Sequence, residues 1–245
     1  MRLAVISDVH GNLLALDAVL TDIATRQVEL TVNLGDLLSG ALQPRETADR
    51  LRELGLPTVR GNHERQLLTL PRNLMGRSDQ LAFDTLTDLH REWLSALPVT
   101  LELAPGVLAF HGSPTDDLVY LLETVEPTGV RPATEDEVLE RLGHFTTWPL
   151  LLCGHTHLPR ARQLTTGALV VNPGSVGWPA YADDEPAPHV LEAGSPQARY
   201  AIVDDSSGRW TAELLGVDYD WEAAALLADQ QDRRDVGRAL RTGRV

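Results

Sequence analysis

Five short apolar segments, each followed by a polar residue that can bind a metal, constrain the fold of this chain more than any other feature. They are LAVI, LTVNL, PTVR, GVLAF and PLLLC, which lie between residues 3 and 153. Their length and apolar content predict buried strands. Helical patterns lie between them, and strands that alternate with helices predict an α/β domain with a mainly parallel central sheet.

Helix signals support this alternation. In NLLALDAVLTDIATR the apolar positions recur with a helical period, and Asn12 can cap the first turn. In PRETADRLREL, Pro44 stands at the start and Gly55 lies just past the end, as helix termini prefer. TEDEVLERL carries a capping box formed by Thr134 and Glu137. Each of these segments is predicted to form a helix.

The pattern changes after residue 160. RARQLTTGALVVN and RYAIVDDSSGRWTAELL are predicted to form hairpins that turn at Thr166-Gly167 and Ser207-Gly208, and a helix is expected from about Asp220. The stretch YADDEPAPHVLEAGSP is rich in Pro, Gly and acidic residues, and it is predicted to be a surface loop. Because neither an internal repeat nor a convincing linker stands out, we expect a single domain over residues 1–245.

Charge and cysteine content narrow the class of protein. The formal net charge of −14 repels polyanions, so a nucleic acid polymer or an anionic membrane is not expected as the main partner, whereas a small anionic substrate is compatible with a locally positive site. One cysteine excludes an internal disulfide and suits a reducing compartment. Neither a signal-peptide pattern nor an apolar stretch of ~20 residues is present, so we expect a cytoplasmic protein.

Asp, Asn or His follows each of the five predicted strands, nearly always beside a glycine. The motifs are SDVHGN at 7–12, GD at 35–36, GNHE at 61–64, HGS at 111–113 and GHTH at 154–157. In a parallel sheet the carboxyl ends of the strands share one edge, where ligands bind in open α/β folds. The side chains of these motifs are therefore expected to converge on one crevice.

The residue types in these motifs indicate a metal site. Two carboxylates, one amide and four or five imidazoles form a mixed oxygen and nitrogen set that suits Mn, Fe, Co, Ni or Zn as divalent ions. Seven protein ligands are too many for one catalytic ion with an open position, and they fit two ions that share a bridging carboxylate. The i, i+2 spacing of His155 and His157 would point both rings to one side of an extended backbone, each toward a different ion.

Each motif alone has a simpler interpretation as a turn or a helix cap, and only their joint occurrence at strand ends favours the metal site. The remaining histidines lack such neighbours. His90, His144 and His189 are expected to be ordinary surface or partly buried residues.

The set DVHGN, GD, GNHE, HGS and GHTH resembles the calcineurin-like metallophosphoesterases, and the resemblance covers nearly the whole chain. NLGDLLSGALQP, HGSPTD, VVNPGSVGWP and the late RYAIVDD further resemble a bacterial branch of small phosphodiesterases, some of which hydrolyse diadenosine tetraphosphate. The resemblance implies an α/β fold in which a two-sheet β-sandwich is flanked by helices, in four αββα layers.

The resemblance also implies a role for individual residues. It puts Asp8, His10 and His157 on one metal ion, with Asp36 bridging to the other. It puts Asn62, His111 and His155 on that second ion. A hydroxide that bridges the metals would attack phosphorus, and His63 would protonate the leaving group. Asn12, Asn62 and His63 are expected to lie against the substrate, with the turn from Asn172 to Ser175 nearby. The metals are expected to be two divalent ions, with Mn²⁺ as first choice.

Two departures and two alternatives accompany the resemblance. The family commonly has Asp after GNH, whereas this chain has Glu64, which could change how His63 is held. The acidic stretch 183–194 looks like an insertion at the rim of the site.

A phosphomonoesterase or protein phosphatase is the alternative enzyme. A scaffold with the same fold is the alternative from another class, and the complete set of competent ligands disfavours it.

Overall fold

Two mixed β-sheets form the centre of the computed structural model, which describes residues 1–245. The first sheet contains four strands, in the spatial order Thr211–Val217 (β13), Ala198–Asp204 (β12), Arg2–Ile6 (β1) and Leu30–Asn33 (β2). β1 is parallel to β2 and antiparallel to β12, which is antiparallel to β13.

The second sheet contains five strands, in the spatial order Thr100–Ala104 (β3), Val107–Phe110 (β4), Leu150–Leu152 (β7), Leu169–Asn172 (β9) and Arg160–Gln163 (β8). Its three central strands are parallel, and both edge strands are antiparallel. The prediction of a mainly parallel central sheet is therefore wrong, because β3 and the strands that follow residue 160 supply antiparallel pairs to the two sheets.

Side-chain alternation along the strands shows how the layers pack. In β1, Leu3 and Val5 face the second sheet and form a core with residues such as Val107, whereas Ala4 and Ile6 face the helices on the other side. Successive side chains of a strand point to opposite faces, so a strand that is buried throughout must be covered on both. The expected two-sheet sandwich flanked by helices is confirmed.

Eight helices cover the sheets. Five of them lie in the first half of the chain: Leu13–Ile23 (α1), Pro44–Leu54 (α2), Asn62–Thr69 (α3), Arg77–Thr85 (α4) and Asp88–Ser95 (α5). The others are Glu135–Leu142 (α6), Trp221–Gln230 (α7) and Arg234–Thr242 (α8). Short 3₁₀ turns occupy Arg72–Leu74 and Gly143–Thr147. None of the helices combines the length and the apolar character needed to cross a membrane.

The predicted helix termini are confirmed. The Asn12 side chain accepts a hydrogen bond from the backbone N–H of Ala15 and caps α1. Gly55 ends α2 in the left-handed conformation that favours glycine. The predicted capping box of α6 is also present, because the Glu137 N–H donates to the Thr134 hydroxyl and the Thr134 N–H donates to the Glu137 carboxylate.

Three local predictions need correction. PTVR does not form a strand and makes a single bridge, between Thr58 and Asn33. The helix expected from Asp220 is divided into α7 and α8 by a tight turn. The stretch predicted to be a surface loop forms a hairpin of Ala180–Asp183 (β10) and His189–Glu192 (β11), because its Pro and acidic residues occupy the tip while its flanks pair.

A second hairpin joins Glu123–Glu126 (β5) and Gly129–Pro132 (β6).

Candidate metal centre

The seven predicted metal ligands lie together at one end of the sandwich. Six of them form two groups whose potential ligand atoms lie within 4.8 Å of one another: Asp8, His10 and His157 in the first cluster, and Asp36, His111 and His155 in the second. Every one of them follows a strand of the two sheets, and Asn62 begins α3 directly after the bridge at residue 58. Two facing sheets thus bring together residues that lie up to 149 positions apart in the sequence.

The first cluster consists of two imidazoles and one carboxylate. The Nε2 atoms of His10 and His157 are 3.0 Å apart, and Asp8 Oδ1 lies 3.4 Å from His157 Nε2. All three side chains are almost completely buried. Asp8 Oδ1 has no hydrogen-bond partner, and an unpartnered buried carboxylate oxygen is costly. These atoms fit a cation between them, because each offers a lone pair to the same point.

The second cluster has the same character. The side-chain oxygen of Asn62 lies 3.0 Å from His111 Nε2, 3.1 Å from His155 Nδ1 and 3.2 Å from Asp36 Oδ2. If the amide is rotated, its NH₂ group would donate to the same atoms. With the oxygen in place, four acceptors converge and a divalent ion is the group that satisfies them together.

Backbone carbonyls fix the tautomer of all four histidines. One ring nitrogen of each donates to a carbonyl, which leaves the other nitrogen as a lone pair directed into the cluster. The bonds are His10 Nδ1 to Ser39 O at 2.5 Å, His157 Nδ1 to Trp178 O at 2.6 Å, His111 Nδ1 to Leu34 O at 2.8 Å and His155 Nε2 to Leu118 O at 3.2 Å. This arrangement is the one that metal-binding histidines require.

Backbone conformation sets the metal centre apart from the rest of the chain. Seven non-glycine residues have a positive φ, and five of them are predicted ligands: Asp8, His10, Asp36, His155 and His157, with φ between 50° and 72°. Such conformations are uncommon for residues with a Cβ, and they cluster at functional sites. The expectation of an extended backbone at 155–157 is wrong, because left-handed turns direct the two rings into different clusters.

Two glycines let the loops approach closely. Gly35 has a φ of +97°, and a Cβ there would lie 2.6 Å from the Gly61 nitrogen. A Cβ on Gly61 would lie 2.2 Å from Asp36 Oδ1. The GD and GNHE loops can therefore pack against each other only with glycine at both positions.

Burial and charge set the protonation of the ring nitrogens. Burial lowers the pKa of His10 to about 3, and burial together with His111 lowers the pKa of His155 to about 4. Burial acts in the same direction at His111, but the Asp36 carboxylate outweighs it and raises the pKa to about 10. Without a cation, Asp36 thus recruits a proton onto His111, and a divalent ion bound between them would take the place of that proton.

His63 lies beside the two clusters. Its Nδ1 is 2.7 Å from Asp79 Oδ1, and its backbone N–H donates to Asp36 Oδ1. Burial lowers the pKa of His63, but Asp36 and Asp79 outweigh burial and raise it to about 9. Asp79 lies in α4, outside every motif, so the motifs did not indicate it. An Asp in the first turn of a helix after GNHE was the only available signal.

The Glu64 carboxylate bonds to the GD and GNHE loops and not to the His63 side chain. Its buried carboxylate accepts hydrogen bonds from the backbone N–H groups of Asp36, Leu37 and Gly61. Burial and the nearby Asp36 charge raise the pKa of Glu64 to about 7. The presence of Glu instead of Asp at position 64 therefore affects how the GD and GNHE loops are held together. It does not affect the His63 side chain directly, because that ring bonds to Asp79 in α4.

Asn12 and the turn from 172 to 175 have structural contacts. The Asn12 amide donates to Gly177 O and to the Tyr219 hydroxyl, and its oxygen caps α1. Asn172 donates to Gly154 O, and the Ser175 hydroxyl donates to Asp8 O. Asn12 does not line the cavity at the metal centre, which favours a structural role over the predicted contact with substrate.

A cavity of about 1300 Å³ opens over the two clusters. Aromatic residues that were not among the predicted ligands line it beside the metal centre: the Trp178 ring lies edge-on to His10, the Tyr181 ring lies against His157, and the Tyr120 ring lies against His155. Trp178 lies in the VVNPGSVGWP stretch but was not predicted to face the site, and the motifs gave no signal for Tyr120 or Tyr181. The tip of the β10–β11 hairpin adds Asp183, Asp184 and Glu185 to the lining, so the predicted acidic stretch does lie at the rim.

Two of the three remaining histidines are more buried than predicted. His189 is 6% exposed and its ring bonds to the Tyr120 hydroxyl, because the hairpin folds it inward. His90 is 2% exposed and lies 2.9 Å from an Asp49 carboxylate oxygen. His144 is exposed, as expected.

The amino-acid sequence is similar to a known protein family and to one curated protein. The family model for the calcineurin-like phosphoesterase superfamily domain matches residues 1–194. The uncharacterized protein MJ0912 of Methanocaldococcus jannaschii is 27% identical over 244 residues, which cover 91% of this chain and 89% of that protein.

Two solved structures have a similar fold. A metallophosphoesterase from Sphaerobacter thermophilus is 24% identical with a TM-score of 0.72, and the match covers 97% of this chain and 100% of that one. The hypothetical protein PH1004 from Pyrococcus horikoshii is 18% identical with a TM-score of 0.75, covering 99% and 98%. Because the family model spans most of the chain, and the site has the paired clusters of potential metal ligands that the motifs predict, this protein belongs to the calcineurin-like phosphoesterase superfamily.

Proposed function

We propose that the protein is a hydrolase of phosphoester bonds that depends on two divalent metal ions, and that its substrate is a phosphodiester or a dinucleoside polyphosphate. The observation that carries this proposal is the orientation of the four histidines, each with one nitrogen bonded to a backbone carbonyl and the other directed into a cluster. A scaffold has no physical need for buried lone pairs that converge in this way.

The predicted ligands would form two sets, one for each metal ion. Asp8, His10 and His157 would hold one ion, Asn62, His111 and His155 the other, and Asp36 would contact both. Mn²⁺ is the proposed metal, with Fe, Co, Ni and Zn compatible with the same ligands. Two bound ions supply a Lewis acid for the phosphate oxygens and make an activated water available near neutral pH.

His63 would donate the proton that the leaving oxygen needs. Its Nδ1–H is held by the Asp79 carboxylate, so the ring is oriented with Nε2 free to carry the transferred proton. The backbone N–H of His63 also donates to Asp36, so the position of the acid is tied to the metal centre. Asp79 acts through His63 and is a positioning residue.

Substrate size and cell location belong to the proposal as well. The cavity is large enough for a nucleotide-sized molecule, and the acidic surface disfavours a nucleic acid polymer or a membrane as partner. We propose a small phosphate ester or nucleotide as substrate and the cytoplasm as location.

Hydrolysis by metal-stripped protein, with and without added Mn²⁺, tests this function. Bis-p-nitrophenyl phosphate, p-nitrophenyl phosphate, 2′,3′-cyclic AMP and diadenosine tetraphosphate would be assayed in parallel. We expect turnover only with metal, and faster turnover of the diester or the polyphosphate than of the monoester. Turnover of the monoester alone would favour a phosphatase, and a protein that neither binds metal nor turns over any substrate would contradict the proposal.

A further inference from the structure

The cavity over the metal centre contains few permanent positive charges. The chain has 21 basic residues and all of them are arginine, so arginine alone can supply such a charge. Three arginines line the cavity, alongside acidic residues such as Asp183, Asp184 and Glu185. An anionic substrate that extends beyond the metal centre would therefore be repelled by the hairpin tip and attracted only near an arginine.

Two of the three arginines are poor candidates for binding it. The Arg141 guanidinium donates to the carbonyl oxygens of Tyr120, Leu121 and Glu123 and to the Thr124 hydroxyl, so it supports the chain between residues 120 and 124 rather than the side of the cavity formed by α4 and Trp178. The Arg77 side chain is 62% exposed, and its contacts are backbone oxygens of the turn between α7 and α8 at 3.2 and 3.4 Å. Ordering such a side chain costs conformational entropy.

Arg233 differs from both. It precedes α8, and its side chain is only 12% exposed. Its Nε and Nη2 donate to the Asp235 carboxylate, and its Nη1 donates to the Ser78 hydroxyl at 2.7 Å. A guanidinium has five N–H groups, so these bonds leave two without a partner. The group is already ordered and lines the cavity, so binding through those two N–H groups needs little further ordering.

Contacts connect Arg233 to the metal centre. Its Cζ atom lies 5.7 Å from the centre of the Trp178 ring, and the edge of that ring lies against His10, with the two ring centres 5.1 Å apart. On the other side, Ser78 precedes Asp79, which holds His63. Arg233 is thus connected to the predicted metal ligand His10 through Trp178, and to the predicted acid His63 through the neighbouring residues Ser78 and Asp79.

We infer that Arg233, ordered on Trp178, binds a phosphate group of the substrate other than the one that reacts at the metal centre. The inference rests on the proposed function and specifies it. The two free N–H groups, one on Nη1 and one on Nη2, can each donate a charge-assisted hydrogen bond to a phosphate oxygen. A substrate with several phosphates would gain affinity from this contact, and one with a single phosphate would not.

Calorimetric titration of the metal-loaded protein with AMP and ATP, at equal free Mn²⁺, tests the inference without depending on turnover. We expect ATP to bind at least about tenfold more tightly than AMP, as one charge-assisted contact provides. Arg233→Gln should remove this difference by weakening ATP and leaving AMP unchanged, and Arg233→Lys should restore part of it.

Arg241→Gln is the matched control, because Arg241 forms ion pairs with Glu222 and Asp229 between α7 and α8, away from the cavity. It should preserve the difference between ATP and AMP. Equal weakening of both nucleotides by Arg233→Gln, no preference for ATP in the native protein, or the same loss in Arg241→Gln would overturn the inference. Hydrolysis of bis-p-nitrophenyl phosphate by the same native sample separates these outcomes from a failure of the proposed function.

Discussion

The metal centre and the cavity wall around it are built in different ways. The predicted ligands other than Asn62 follow strands of two sheets, almost all of them are buried, and the ring nitrogens of the histidines are fixed by backbone carbonyls. The wall comes from the first turn of α4, the segment around Trp178, the β10–β11 hairpin and the turn before α8, and it includes exposed residues such as Arg77 and Asp184. The residues of the wall therefore do not share one type of secondary-structure position, whereas most of the ligands do.

This difference indicates a division of labour. A site that stabilises charge must be ordered before substrate arrives, which requires rigid elements and satisfied supporting bonds. The residues of a wall that selects among substrates can be replaced without loss of the catalytic reaction, because loop residues tolerate sequence variation better than the elements they connect. Changes in the metal centre should therefore abolish activity on every substrate, and changes in the wall should alter the preference among substrates.

Replacement of Asp36 should have the largest effect. Asp36→Ala removes the carboxylate next to His111 and the acceptor for the His63 backbone N–H. We expect loss of bound metal and a decrease in activity beyond the ~10²–10⁴-fold that removal of an acid costs. Elemental analysis would measure the metal. An Asp36→Ala protein with two ions and full activity would contradict the assigned role.

Replacement of His63 should separate metal binding from proton transfer. His63→Ala keeps the backbone N–H that bonds to Asp36, so metal content should be unchanged. The rate should fall by ~10²–10⁴-fold for esters with poor leaving groups, and much less for nitrophenyl esters, whose leaving group needs no proton. Equal losses on both kinds of ester would exclude a general acid role.

Asp79→Asn tests the connection between the wall and the centre. The amide can still contact His63 Nδ1, but a neutral partner holds the protonated ring less strongly than a carboxylate. We expect a decrease in kcat of about tenfold on poor leaving groups, with KM unchanged. Asp79→Glu, which retains the charge, is the comparison variant and should recover part of the rate. A change confined to KM would contradict positioning of the acid.

The smallest effect on activity is expected at Glu64. In Glu64→Asp the shorter side chain cannot reach all three backbone N–H groups of Asp36, Leu37 and Gly61. One unpaired buried N–H costs about 1–3 kcal/mol, so the free energy of unfolding should fall by that amount. Denaturant unfolding would measure it. Unchanged stability would mean that Asp holds the loops as well as Glu does.

Sequence patterns pointed to the residues that form the two clusters, because strand ends, glycines and ligand types are local features. Asp8 and His157 could be assigned to one cluster from their motifs and the family resemblance. Their left-handed backbone could not be predicted, because tertiary bonds impose it. The hairpin that contains Tyr181 was missed because Pro and acidic residues at its tip outweighed the pairing of its flanks.

The wall could not be predicted for a different reason. Asp79 lies in ordinary helical sequence and Arg233 in the turn before α8, and each acquires its position only when α4 packs beside the turn between α7 and α8. Their partners are 16 and 155 positions away in the chain. Contacts at such separations follow from the packed fold and leave no local pattern in the sequence.

The central claim is that two clusters each hold one metal ion. Crystals of the protein loaded with Mn²⁺, measured at the manganese absorption edge, test it most directly. The predicted result is two anomalous peaks, one among Asp8, His10 and His157 and one among Asn62, His111 and His155, with Asp36 in contact with both. A single peak, or no peak in either cluster, would contradict the account.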